Sequence, residues 1–126
     1  ISPRIIADTF LKFVKRIHTQ LPECRIYFLS IKPSISRWKL WPKMAQANRL
    51  IEEACARDTR LTFVDVASAM LDDTSRPRKE IFKKDNLHMK REGYVIWRDT
   101  LRPILMASER KYENQETTTS LQVVSP

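Results

Sequence analysis

The chain has 126 residues, 42% hydrophobic and 30% charged, which is room for one small globular domain and not two. No apolar run is long enough to span a bilayer, and the opening ISPRIIADTF is not a basic stretch followed by an apolar core, so it does not read as a secretory signal. The formal net charge of +8 permits a polyanionic partner, but a solvated basic surface is the simpler account of such a balance.

Taken in chain order, residues 3–21 carry Ile6, Phe10, Phe13, Val14, Ile17 and Leu21 at helical spacing. Ser2 is placed to cap this helix and Pro3 suits its first turn; His18 falls near the polar side and reads as a surface residue. Residues 25–31, RIYFLSI, form a nearly continuous apolar run between turn signals, which predicts a strand covered on both faces. The segment KPSISRWKLWPK follows, with Lys32, Arg37, Lys39 and Lys43 around Trp38 and Trp41. Cations interleaved with aromatic rings are what single-stranded nucleic acid needs. A second basic cluster is Arg76, Arg78, Lys79, Lys83 and Lys84, but no nucleic-acid motif of recognisable spacing is present.

Pro42 opens a second helix whose apolar face is Met44, Ala47, Ile51 and Ala54, ending near Arg57 and Asp58. LTFVDV, residues 61–66, reads as a second buried strand, residues 67–71 as a helical turn, and DDTSRPRKE as a loop. A third helix spans residues 89–107 through Tyr94, Trp97, Leu101, Ile104 and Leu105, with Pro103 expected to kink or split it. From residue 109 onward apolar content is low, and a disordered tail is expected. The order α-β-α-β-α predicts an α/β architecture with parallel strands and right-handed crossovers. Ligand sites in such sheets lie beyond the carboxyl ends of the strands, which places residues 32–41, residues 66–71 and the loop to His88 on the functional edge.

Asp85 stands three residues before His88 in FKKDNLHMKREGYVIW. An imidazole is the best general base near neutral pH, and a carboxylate that holds one ring nitrogen leaves the other free to take a proton. The plainer alternative is that Asp85 or Asn86 caps the third helix and His88 is incidental. Glycine is nearly absent: Gly93 is the only one, where ordinary usage is about 7%. Phosphate loops, oxyanion turns and nucleophile elbows rely on glycine, so the backbone-donor half of a usual active site is not in this chain. Cys24 and Cys55 have no metal-ligand spacing and read as reduced, packed thiols that point to no compartment.

DNLHMKREGYVIW resembles the C-terminal signature of the SGNH, or GDSL-type, hydrolases. FLSIKPSISRW, the helix containing Asn48, FVDVASAML and the GY..W...LRPIL pattern follow in the order that family shows. The resemblance covers residues 1–107. It implies that residues 1–108 are the C-terminal part of a three-layer α/β/α, flavodoxin-like esterase or lipase domain. It implies an acyl-serine mechanism in which His88 is the base and Asp85 orients it, with neither metal nor cofactor. The chain departs from the family in lacking Gly-Asp-Ser, an oxyanion glycine and the Gly-x-Asn-Asp asparagine, which Asn48 does not match. Relatives often have Gly and Asn where this chain has Asn86 and Lys90. The nucleophile is therefore expected upstream of Ile1 or lost, the chain alone is expected to be inactive, and the partners implied are an ester substrate and an N-terminal half-domain.

Ser30 reads as a packed strand residue, Ser34 as a turn former, and Asp65 as a strand-end hydrogen-bonding residue. Trp38 and Trp41 line an acyl pocket or simply seal a core. Two function classes stand: part of a serine esterase, or a small basic module that binds nucleic acid through the Trp38/Trp41 loop. A chain of two strands is also expected to leave an apolar edge at residues 25–31 open to self-association.

Overall fold

Ser2 turns its hydroxyl back to accept the Ile5 amide at 3.2 Å and Pro3 fills the first turn, so helix α1 (Pro3–Gln20) begins where its sequence allows. The structure, a computed structural model, describes residues 1–124, with side chains described through residue 113. Strand β1 (Ile26–Leu29), helix α2 (Trp41–Cys55), strand β2 (Leu61–Val64) and helix α3 (Arg91–Val124) follow. Short 3-10 turns occupy Trp38–Leu40, Ser68–Met70 and Lys79–Ile81. The fold is α/β, with two parallel strands in an open sheet and three helices. Among the described residues no helix is long and apolar enough to cross a membrane.

The register pairs Ile26 with Leu61 and Phe28 with Phe63 on one face, and Tyr27 with Thr62 and Leu29 with Val64 on the other. The Phe28 ring stands edge-on to Phe10 of α1 at 4.8 Å and stacks with Phe63 at 6.0 Å. This face packs with Ala7 and Val14 of α1 and Ile51 and Cys55 of α2. Tyr27 faces α3, where its hydroxyl donates to Glu109 Oε2 at 3.0 Å. Arg25 adds a two-pronged bond to the same carboxylate, at 2.6 and 2.7 Å. A second core, Met70, Ile81, Phe82 and Met89, lies with Ile35, Ile96 and Trp97 between the loops and the start of α3.

Four expectations change. Strand β1 is shorter than residues 25–31, and Ile26, Tyr27, Phe28 and Leu29 are half-buried instead of enclosed. Only β2 flanks it among the described residues, so its other edge has no strand to cover it. Phe13 and Leu21 are 54% and 60% exposed, because α1 buries only the narrow stripe through Ala7 and Val14. Pro103 lies inside α3 and does not divide it; both it and Asp99, whose carbonyl it cannot serve, are exposed residues. The helix also continues past residue 108, held there by Glu109 and by Tyr112, whose ring lies 3.9 Å beneath the Arg25 guanidinium. Side chains of residues 114–126, the rest of the expected tail, lie outside the described set.

Asn48 on α2 replaces a strand neighbour for one residue. Nearly buried, it accepts the Ile31 amide at 2.8 Å and donates to the Ile31 carbonyl at 3.0 Å. Asn48→Ala should destabilise the chain by about 1–3 kcal/mol, the cost of leaving both groups without a partner. A urea midpoint that moves by less than about 0.5 kcal/mol equivalent would contradict this reading.

Candidate functional site

Residues 82–89 form a closed loop with two buried ends. Phe82 and Met89 face each other in an antiparallel bridge and are each 3% exposed. Between them the Lys83 amide donates to the His88 carbonyl at 2.7 Å and the Asn86 amide to the Lys83 carbonyl at 2.9 Å. Lys90 continues the ladder with its amide on Ile81 O at 2.8 Å.

One carboxylate organises the interior of this loop. Asp85 Oδ1 accepts the amides of Leu87 and His88, each at 3.0 Å, and Oδ2 accepts from His88 Nδ1 at 2.5 Å. The His88 bond first, then the two amides, holds the Asp85 carboxyl well below the usual carboxylate range. The helix-cap alternative does not describe this arrangement, because α3 begins at Arg91 and the carboxylate caps its own turn. With the proton on Nδ1, the lone pair of a neutral His88 is on Nε2, the nitrogen with no hydrogen-bond partner among the described residues. The pair is exposed.

Asn86 occupies the left-handed region, φ 57°. Asparagine is among the few side chains that tolerate it, so Asn86 fills a position made for glycine. The one true glycine serves a different purpose. A Cβ on Gly93 would come within 2.9 Å of both Cβ and Sδ of Met89, so Gly93 gives the residue after His88 room to fold into the second core.

The loop after β1 grips the same turn from outside. Ser36 donates its amide to the Asn86 carbonyl at 3.0 Å, and Lys32 Nζ donates to the Leu87 carbonyl. Neither contact has a sequence signature; in the sequence Lys32 reads only as part of the basic Trp38/Trp41 segment. Trp38 and Trp41 stack on each other at 6.2 Å and 11°. Two serines on this edge have their hydroxyls committed to backbone. Ser30, 3% exposed, accepts the Ala67 amide at 3.0 Å, and Ser34, 4% exposed, accepts the Arg37 amide at 3.2 Å. Asp65 closes the turn after β2 by accepting both the amide and the hydroxyl of Ser68. His18 is half-buried, with Nε2 2.8 Å from the Cys24 carbonyl, and is remote from this edge in its bonding. Cys24 and Cys55 are both free, and burial pushes the Cys55 thiol up to about 11. Among the described residues no group of His, Cys, Asp and Glu is arranged to hold a metal ion.

No protein-family model and no curated protein matches the chain. A solved structure does: a protein from Streptococcus pneumonia described as a "putative platelet activating factor", with a TM-score of 0.73 at 20% identity. The match covers 83% of this chain and 52% of that one, so this chain spans about half the length of the structure it resembles. At that identity the likeness establishes the fold.

Two outcomes follow from the loop. Asn86→Gly should leave stability within about 1 kcal/mol of the parent, whereas Asn86→Val should cost about 1–3 kcal/mol, since a β-branched residue is strained at positive φ. Equal effects from the two in chemical denaturation would remove the left-handed constraint. Asp85 has a folded-state pKa below its unfolded value, so its ionised form stabilises the chain above the unfolded value, about 3.9, and this contribution is lost as pH falls through the folded one. The stability advantage of the parent over Asp85→Asn should therefore stand at pH 5 and above and shrink steadily below about pH 4. An advantage independent of pH over that interval would contradict the assignment.

Proposed function

We propose that this chain is the C-terminal portion of an SGNH-type serine esterase or lipase, supplying the general base His88 and its orienting carboxylate Asp85. The observation that carries the reading is the 2.5 Å bond from His88 Nδ1 to Asp85 Oδ2, made by a carboxylate whose other oxygen is already fixed by two amides. This is the half of a triad that sets the tautomer and leaves Nε2 as base. The fold shared with a longer structure, of which the match covers 52%, supports it, since a chain that matches part of a larger fold leaves room for a segment beside the open edge of β1.

The step is the removal of a proton from a serine hydroxyl by His88 Nε2 as that oxygen adds to the ester carbonyl. The proton is then delivered to the departing alkoxide, and Asp85 stabilises the imidazolium in between. On this reading the serine and the donors for the developing oxyanion are supplied from outside this chain: Ser30 and Ser34 are bonded to backbone amides and Gly93 is taken up by Met89. The second reading, a basic module for nucleic acid, has less behind it: Trp38 and Trp41 turn a face toward each other, and Lys32 is bonded to Leu87.

The chain alone should hydrolyse a short p-nitrophenyl ester no faster than solution. In a protein that joins it to a segment carrying the serine, His88→Ala should lower kcat by a factor on the order of 10⁶. Asp85→Asn should lower it by a factor on the order of 10⁴ with little change in KM. Wild-type turnover in His88→Ala, with the fold intact by circular dichroism, would contradict the reading.

A further inference from the structure

We infer that Lys32 is a positioning residue for the Asp85–His88 pair: its ammonium, donated to the Leu87 carbonyl, fixes the turn that aims the imidazole. For its consequence in catalysis this rests on the esterase reading; for its geometry it does not. Lys32 is rigidly mounted. Immediately before it, Ile31 is clamped at both backbone groups by Asn48. Immediately after it, Pro33 is fully buried and Ser34 is 4% exposed, with its hydroxyl on the Arg37 amide. A lysine stem ordinarily wanders through many rotamers; this one leaves from a fixed base and is half-buried along its path.

Its end point is equally specific. Nζ donates to the Leu87 carbonyl and lies 5.5 Å from the centroid of the Phe82 ring, the residue that anchors the loop at its start. Burial lowers the Lys32 pKa, and the Asp85 carboxylate opposes that shift, so the ammonium and the carboxylate lie within electrostatic reach. Asp85–His88 contains two intervening residues, and the carbonyls of both are taken from the same side: Asn86 O by the Ser36 amide and Leu87 O by Lys32. Inside the turn, Asp85 holds the amides of Leu87 and His88. The peptide unit joining Leu87 to His88 is thus held at its carbonyl by Lys32 and at its amide by Asp85, and the imidazole rides on the next Cα. Loss of the outer grip frees that peptide to tilt and loosens the bond from Nδ1 to Asp85.

The test uses the whole chain and needs no turnover. Imidazole ¹⁵N shifts of His88, recorded at a pH where the ring is neutral, give the ratio of its two tautomers. In the parent the Nδ1–H form should predominate. Lys32→Met, which keeps the stem and removes the donor, should shift the ratio toward Nε2–H by about threefold or more, the equilibrium equivalent of losing part of one hydrogen bond. Lys32→Arg, which keeps a donor and the charge, should stay close to the parent. Amide exchange at Ile51 and Val64, both fully buried, should be the same in all three. The proposal is overturned if Lys32→Met keeps the parent ratio, if Lys32→Arg shifts it as far, or if core protection falls in step with the shift. A parent without a dominant Nδ1–H tautomer would instead overturn the Asp85–His88 pairing and the esterase reading with it.

Discussion

The Asp85 carboxylate has to satisfy three donors at once, and the site depends on that demand. Two of them, the amides of Leu87 and His88, are backbone groups of the turn itself, and the third is the imidazole the turn carries. A carboxylate so placed does not choose between shaping a loop and orienting an imidazole. The geometry that satisfies its first oxygen brings the ring to its second. The same bonds keep the group ionised far below the ordinary carboxylate range, so under the proposed esterase reading it is charged whenever the imidazole would act as base.

The surrounding fold supports that arrangement from two directions. The second core pins both ends of the loop through Phe82 and Met89, and the glycine at position 93 exists to let Met89 do so. From the sheet side, β1 runs into a segment fixed by Asn48, Pro33 and Ser34, which presents Lys32 and Ser36 to the outer carbonyls of the turn. The first core, between α1, α2 and the sheet, takes no direct part in the loop; its role is to hold β1 where Lys32 can reach. Along β1 the packing is thinner, with Phe28 and Leu29 half-buried. The site is thus the more completely determined part of the molecule, although its charged side chains are its most solvent-exposed.

Much of this was legible in the residues. Ser2 and Pro3 announced α1, the apolar runs RIYFLSI and LTFVDV announced two strands, and alternation with helices implied their parallel pairing. Asp85 and His88 stood at the spacing that lets a carboxylate reach an imidazole, and Asn86 marked a place where glycine would serve. What escaped notice depended on tertiary partners. Nothing local says that Glu109, 84 residues from Arg25, would bind it and extend α3 through what composition reads as a tail. An apolar run suggests burial on both faces, but β1 has one strand neighbour among the described residues and its four residues are half-buried. Lys32 looked like one member of a basic patch because charge is visible in a sequence and a hydrogen bond to a carbonyl 55 residues away is not.

The claim on which the account rests is that Asp85 is the common acceptor for Leu87, His88 and the His88 ring. It is tested most directly by following the Asp85 side-chain carboxyl carbon by ¹³C NMR as the folded chain is acidified. The account predicts that this resonance keeps its ionised position through the interval in which ordinary aspartates titrate, around pH 3.9, and that the Leu87 and His88 amides move only when it finally does. A midpoint near 3.9, with those two amides indifferent to it, would show that the carboxylate is not engaged and that the turn and the base are held by something else.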